Sequence, residues 1–285
     1  MANLVSYESM PVRMTRRVMF SSGHRYWDET RSPEENKTLY GRWASPFNHG
    51  HNYLLYVTVE GGIDPETGMV VNIKVIDEIV QRRVVSRFDN RSINDEIPEF
   101  KTKSSSLENI LEFIWMTLSE PGVLPDSANL VSLRLDETAL LYAEKDTTTM
   151  TTLTRIYEFA AAHRLNAPSL SLAENIDLFG KCNNPAGHGH NYVLEVTVGG
   201  IPDPVTGMLV GIDELDRAVQ NKVVDRYDHK NLNVDVPEFL DVNTTSEVVA
   251  QTIFSRLSGH LPGKLVRIRL HETARNIFEV SAAGD

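Results

Sequence analysis

Residues 48–71 read NHGHNYLLYVTVEGGIDPETGMVV, and residues 187–210 read GHGHNYVLEVTVGGIPDPVTGMLV. The second stretch repeats the first. His49 and His188, His51 and His190, Tyr53 and Tyr192, Asp64 and Asp203, and Gly68 and Gly207 each stand 139 positions apart. The same offset pairs His24 with His163 and Asp89 with Asp228. It shortens to 135 where LDET (Leu135–Thr138) matches LHET (Leu270–Thr273), which a four-residue loop deletion explains. Self-similarity at a fixed period over most of a chain marks a duplication. Between the copies, EKDTTTMTTLT (Glu144–Thr154) is polar, threonine-rich and without apolar periodicity, so it reads as a linker. Two domains follow, residues 12–143 and 154–281.

Each copy carries the same element signals. His190 to Val198 alternates as a half-buried strand does, and Val266, Ile268 and Leu270 alternate with Arg267, Arg269 and His271 in a later one. Between them Ile212, Leu215, Val219 and Val223 recur at helical spacing, matched by Ile76, Ile79, Val80 and Val84. A second helix is expected from Thr244, where Thr-x-x-Glu to Glu247 has the capping-box pattern, with Ser105 and Glu108 as counterparts. Strands and helices in this order make an α+β domain.

Composition narrows the function. A chain of 285 residues, 41% hydrophobic and 24% charged, has the makeup of a folded soluble protein. Its formal net charge of -11 repels nucleic acid and anionic lipid, so a small-molecule substrate is expected, with no nucleic-acid or membrane partner. There is no apolar run of the length that a secretion signal or a membrane span needs. The one cysteine, Cys182, cannot form an internal disulfide, which suits a reducing, cytoplasmic setting.

His188 and His190 lie two apart on a predicted strand, so both imidazoles project from one face. His163 sits on the preceding predicted strand, and His24, His49 and His51 fill the matching slots of the first copy. The alternative, hydrogen-bonded sheet histidines, does not account for three matched slots in both copies. Three histidines suit Zn²⁺ with a fourth position left for water or substrate, the catalytic arrangement. Cys182 precedes His188 by six residues in GKCNNPAGHGHNY, a turn that brings a thiol near the metal, for chemistry or for packing. Asp228 and His229 are either a carboxylate-oriented proton shuttle or the end of a helix. Glu272 shares a strand face with Leu270. As an inward carboxylate it needs a partner, either a neighbouring arginine or a ligand with a guanidine-like edge.

The second copy resembles the 6-pyruvoyl tetrahydropterin synthase family, related to 6-carboxytetrahydropterin synthase. The match runs through LFGKCNNPAGHGHNY, DPVTGM, DHKNLN, DVPEF, TTSE and HET. The resemblance implies the tunnelling fold, in which each unit is a four-stranded antiparallel sheet with two helices and units close into barrels on oligomerisation. It implies one zinc on His163, His188 and His190, a catalytic triad of Cys182, Asp228 and His229 completed across a subunit interface, and Glu272 as pterin anchor, with Thr245 and Glu247 of the TTSE motif as further substrate contacts. The implied reaction is that of a carbon–oxygen lyase: 7,8-dihydroneopterin triphosphate loses triphosphate and becomes 6-pyruvoyl tetrahydropterin, in tetrahydrobiopterin biosynthesis. Lys181, Lys230 and Arg164 are candidates to hold the triphosphate against the acidic chain. The alternatives are 6-carboxytetrahydropterin synthesis on the queuosine route, and a non-catalytic pterin-binding or assembly protein. The KCNNP turn, in place of two closely spaced cysteines, leans toward the pyruvoyl type.

The first copy keeps His24, His49, His51, Asp89 and Glu137, enough for a second zinc and a pterin. It has Trp43 in the place of Cys182 and Asn90 in the place of His229. Neither an indole nor an amide transfers protons near neutral pH, so this copy is expected to be catalytically dead. If rings contain three units, two kinds of copy cannot alternate, so a trimer of two-domain chains, a pseudo-hexamer of like-with-like rings, is the expected homo-oligomer.

Overall fold

The computed structural model describes residues 10–148 and 150–282. The chain divides into two compact units: Met1–Leu153 with Gly200–Leu209, and Thr154–Gly199 with Val210–Asp285. In the first unit the elements run β1 (Val12–His24), α1 (Pro33–Tyr40), β2 (His49–Gly61), α2 (Ile73–Val80), β3 (Arg91–Ser92), α3 (Leu107–Ser119), β4 (Asn129–Thr138) and β5 (Leu141–Asp146). The same order returns as β6 (Thr151–His163), α4 (Leu172–Phe179), β7 (His188–Gly200), α5 (Ile212–Val219), β8 (Lys230–Asn231), α6 (Ser246–Leu257), β9 (Lys264–Thr273) and β10 (Asn276–Ser281).

The sheet of the first unit is ordered β3-β1-β2-β4-β5 and that of the second β8-β6-β7-β9-β10. In the first unit four strands are antiparallel neighbours, as expected, and in the second β7, β9 and β10 are antiparallel with β6 next to β7. The fifth, only two residues long, pairs in parallel with the first strand, Ser22 opposite Arg91 and Ala161 opposite Lys230. One face of each sheet is sealed by helices. Tyr192, Leu194, Val196 and Val198, every second residue of β7, are fully buried together with Leu215 and Val219 of α5 and Val249, Ile253 and Leu257 of α6. Each such side chain contributes about 1.5–3 kcal/mol on leaving water.

A π-helical turn follows α2 at Gln81–Val85 and α5 at Gln220–Val224. The extra residue re-phases the helix so that Phe88 and Tyr227 are buried and the next residue, Asp89 or Asp228, leaves the helix in extended conformation. Such bulges occur often at functional sites. No helix among the described residues is long and apolar enough to cross a membrane.

Three expectations need correction. The stretch Glu144–Thr154 is mostly strand, since β5 runs to Asp146 and β6 starts at Thr151; Thr149 lies outside the described residues. Threonine is β-branched and polar, so the same residues that read as linker also suit a strand. The second long helix is capped one residue later than expected, by Thr245 on Val248 N and by Ser106 on Asn109 N, without a capping box. Thr244 is engaged elsewhere, its hydroxyl on Arg164 O and its carbonyl on His163. Each unit also has shorter helices, among them α1 or α4, opened by a Ser-x-x-Glu box at Ser32–Glu35 or Ser171–Glu174.

Glu108 is buried in the first unit and accepts a hydrogen bond from Leu209 N at 2.8 Å. Burial outweighs this bond and pushes its carboxyl up to about 7. A raised folded-state pKa gives stability that is full below the ordinary carboxyl value and is lost as pH rises through the folded one. Glu108→Gln is therefore expected to flatten the decline in stability of the first unit between about pH 4.5 and 7. At pH 8 it should gain on the order of 3 kcal/mol, read from urea midpoints.

Candidate active site

β6 ends at His163 and its neighbour β7 begins at His188, so a strand end and a strand start place the three imidazoles together. Ring centroids lie 4.6 Å (His163–His188), 5.2 Å (His163–His190) and 5.0 Å (His188–His190) apart. One nitrogen from each falls within 4.8 Å of the others. The carbonyl of Thr244 can only accept, so its 2.8 Å contact fixes the proton of His163 on Nδ1 and leaves a lone pair on Nε2. His163 Nε2, His188 Nδ1 and His190 Nε2 are buried with no hydrogen-bond partner. Burial lowers the pKa of His163 and His190, keeping both rings neutral near pH 7, as ligation requires. Three neutral, convergent, otherwise unsatisfied nitrogens fit a zinc ion.

Glu272 Oε1 lies 3.8 Å from His163 Nε2 and 3.9 Å from His190 Nε2. Ser246 Oγ donates to Oε1 at 2.6 Å and Asn276 Nδ2 to Oε2 at 3.0 Å. Burial pulls this carboxyl up, but the two donors and the histidines outweigh it, so Glu272 sits below the ordinary carboxylate range. It is ionised at neutral pH and positioned to receive donors. Ser246 and Asn276 were not anticipated from the sequence.

The Asp228–His229 turn is clamped to β6 through both backbone groups of one residue, Ala160. Asp228 Oδ1 accepts from Ala160 N at 2.8 Å, and His229 N donates to Ala160 O at 2.6 Å. These bonds hold His229 at φ 57, left-handed backbone that costs a non-glycine residue about 1–2 kcal/mol. Asp228 Oδ2 meets His229 Nδ1 at 2.8 Å, which leaves Nε2 as the basic nitrogen on a ring 83% exposed. The Ala160 N–H, then His229, hold the Asp228 carboxyl below its usual value. An open pocket of about 530 Å³ has both His190 and His229 in its lining, with Lys230 beside them.

Cys182 does not line that pocket. It lies half-buried in the 3₁₀ turn Gly180–Asn183. Its carbonyl accepts from Leu165 N at 2.9 Å, and Asn183 is gripped by Arg164 through its carbonyl (3.0 Å) and its side chain (3.1 Å), so the turn is pinned to the chain just after His163. Arg164 is thus engaged with the turn. Thr245 caps α6, and Glu247 is exposed on its first turn.

The first copy repeats the metal geometry and its glutamate but lacks the cysteine and the histidine of the turn. His24, His49 and His51 present nitrogens within 4.8 Å of one another, and His24 Nδ1 bonds Ser105 O at 2.9 Å. Burial pushes His24 down to about 3 and His51 to about 4. Glu137 lies 3.9 Å from His24 and 3.7 Å from His51. Asn90 holds the same left-handed backbone (φ 57), its N–H donates to Ser21 O at 2.6 Å, and its amide bonds Asp89 at 3.0 Å. The turn survives without an imidazole. Trp43 occupies the turn equivalent to that of Cys182, with Arg42 5.0 Å over its ring.

A family model described as 6-pyruvoyl tetrahydropterin synthase matches residues 13–147 and again 152–283. The 6-pyruvoyl tetrahydrobiopterin synthase of Poecilia reticulata is 48% identical over 126 residues, 44% of this chain and 86% of that protein. That of Homo sapiens is 47% identical over 126 residues, 44% of this chain and 87% of its own. Among solved structures, Caenorhabditis elegans 6-pyruvoyl tetrahydropterin synthase is 40% identical, covering 48% of this chain and 98% of that one, with a TM-score of 0.46.

Proposed function

Because the chain belongs to the 6-pyruvoyl tetrahydropterin synthase family in both of its halves, we propose that residues 154–281 form its catalytic domain and residues 12–143 a degenerate copy. The reaction is zinc-dependent conversion of 7,8-dihydroneopterin triphosphate to 6-pyruvoyl tetrahydropterin and triphosphate, a lyase reaction. The observation that carries this reading is the difference between the copies. Both present a histidine trio with a glutamate beside it, and only the second adds a cysteine and an aspartate-oriented histidine.

Zinc on His163, His188 and His190 would act as a Lewis acid on the substrate's side-chain oxygens, acidifying the neighbouring C–H and O–H bonds. The ionised Glu272, steadied by Ser246 and Asn276, accepts the paired N–H donors of the pterin ring. Cys182, which does not line the pocket of His190 and His229, removes a proton from the substrate side chain from across a subunit interface. His229 Nε2 delivers or takes the other protons, with Asp228 stabilising the imidazolium. Lys230, on the pocket shared with His229, meets the triphosphate. Lys–phosphate attraction there offsets the repulsion from a chain of net charge -11.

Metal analysis of the full chain is expected to give two zinc ions per chain. His188→Ala should retain one and lose turnover, and His49→Ala should retain one and keep turnover. Product identification after incubation with 7,8-dihydroneopterin triphosphate tests the reaction itself. Release of acetaldehyde would assign the carboxy-type reaction instead, and retention of zinc and pterin without triphosphate release would make this a binding protein.

A further inference from the structure

We propose that the first copy holds its zinc in a closed, structural site, with Glu137 as fourth ligand beside His24, His49 and His51, and that this copy takes no pterin. The proposal rests on the zinc reading of the proposed function and deepens it. The glutamate that serves the pterin ring in the second copy serves the metal in the first.

Glu137 and Glu272 are equally near their histidines, so what separates them is how each carboxylate is held. Glu272 turns one oxygen, Oε1, to both His163 and His190, at 3.8 and 3.9 Å. That oxygen accepts from Ser246 Oγ at 2.6 Å, and Oε2 is turned to Asn276 Nδ2 at 3.0 Å. The offsets of 139 and 135 positions put Leu107 in the place of Ser246 and Leu141 in the place of Asn276. Both leucines are buried, and neither side chain can donate a hydrogen bond. Glu137 instead turns Oε2 to His24 Nε2 at 3.9 Å and Oε1 to His51 Nε2 at 3.7 Å, so both of its oxygens face the trio. With leucines where those two donors stand, a buried carboxylate aimed at three imidazoles is best stabilised by a cation among them.

The first site is also the more enclosed. The Glu137 side chain is 5% exposed, against 15% for Glu272. Tyr26 is buried, with its ring centroid 5.2 Å from that of His24 and 6.4 Å from that of His49, where the second copy has the half-buried Leu165. Three imidazoles and a carboxylate fill the four positions of a tetrahedral zinc, as structural sites do, whereas three imidazoles alone leave one position open. The first site therefore has neither a place for substrate oxygens on its metal nor a carboxylate to receive a pterin ring. Its metal ties the end of β1 to the start of β2 and to Glu137 on β4.

Cobalt(II) in place of zinc reports an open position, because azide enters it and shifts the visible absorption. In the unmodified chain loaded with two cobalt ions, azide is expected to shift the spectrum of one ion and leave the other unchanged, a readout that needs no variant to fold. His49→Ala, which keeps the second site, should respond, and His188→Ala, which keeps the first, should not. Glu137→Gln in the His188→Ala background is expected to speed metal release to excess EDTA by at least about tenfold, the lower bound for losing even an outer-shell partner. Glu272→Gln in the His49→Ala background should change release by less than about threefold, because that glutamate is not a ligand. Equilibrium dialysis with neopterin, which has no triphosphate to lose, should find one pterin per chain. None of these readouts uses turnover, so loss of the reaction with the cobalt results intact would fail the catalytic reading alone. An azide response from both ions, two neopterins per chain, or release within threefold of the parent in Glu137→Gln would overturn the proposal.

Discussion

His229→Asn is expected to lower triphosphate release from 7,8-dihydroneopterin triphosphate by about 10²–10⁴-fold, the range for loss of a positioned acid or base, with metal content and fold unchanged. The chain contains its own control for this substitution. Asn90 occupies the equivalent position at the same φ of 57, donates its backbone N–H to Ser21, and bonds Asp89 through its amide. An asparagine is therefore accommodated without disturbing the turn, and what it removes is a nitrogen that can change protonation state. Alanine would be a poorer choice, since its Cβ carries the left-handed penalty with no local hydrogen bond to offset it. The reciprocal change, Asn90→His, should add no activity, because Trp43 stands where a thiol is needed. Turnover within threefold of the unmodified rate in His229→Asn would remove the Asp228–His229 pair from the mechanism.

Cys182→Ala is the second large effect, again about 10²–10⁴-fold in turnover. The turn carrying Cys182 is held by groups other than the thiol: the Cys182 carbonyl on Leu165 N, the Asn183 amide on Leu165 O, and Arg164 on Asn183. Removing the sulfur leaves all of these in place, so the loss is expected in kcat with two zinc ions still bound per chain. The first half is predicted to respond differently. Trp43→Ala should leave turnover within a few-fold of the unmodified chain, measured in the same triphosphate assay, and a loss as large as that of Cys182→Ala would give the first copy a catalytic share.

The histidine trios were legible because duplication supplied two readings of one pattern, and alternation on a strand puts residues two apart on one face whatever surrounds them. The sheet and its two long helices were legible for the same reason of periodicity. Other features depend on contacts that no local pattern encodes. The π-helical turns before Asp89 and Asp228 have no compositional mark, since Gln81–Val85 and Gln220–Val224 continue the helical spacing of apolar residues. Thr244 reads as a cap, yet its hydroxyl and carbonyl serve Arg164 and His163, some 80 residues away in sequence. Ser246 supports Glu272 across 26 residues, and the sequence alone gives no reason to single it out from its neighbours. Threonines around residue 150 carry conflicting signals, polar like a loop and β-branched like a strand, and the strand prevailed.

Whether the second half performs the chemistry is tested most directly by following triphosphate and pterin product together, using the purified, zinc-loaded full chain and 7,8-dihydroneopterin triphosphate. The predicted result is one triphosphate for each 6-pyruvoyl tetrahydropterin formed, with both lost in His163→Ala. No triphosphate release from the zinc-loaded chain, or release undiminished in His163→Ala, would contradict it.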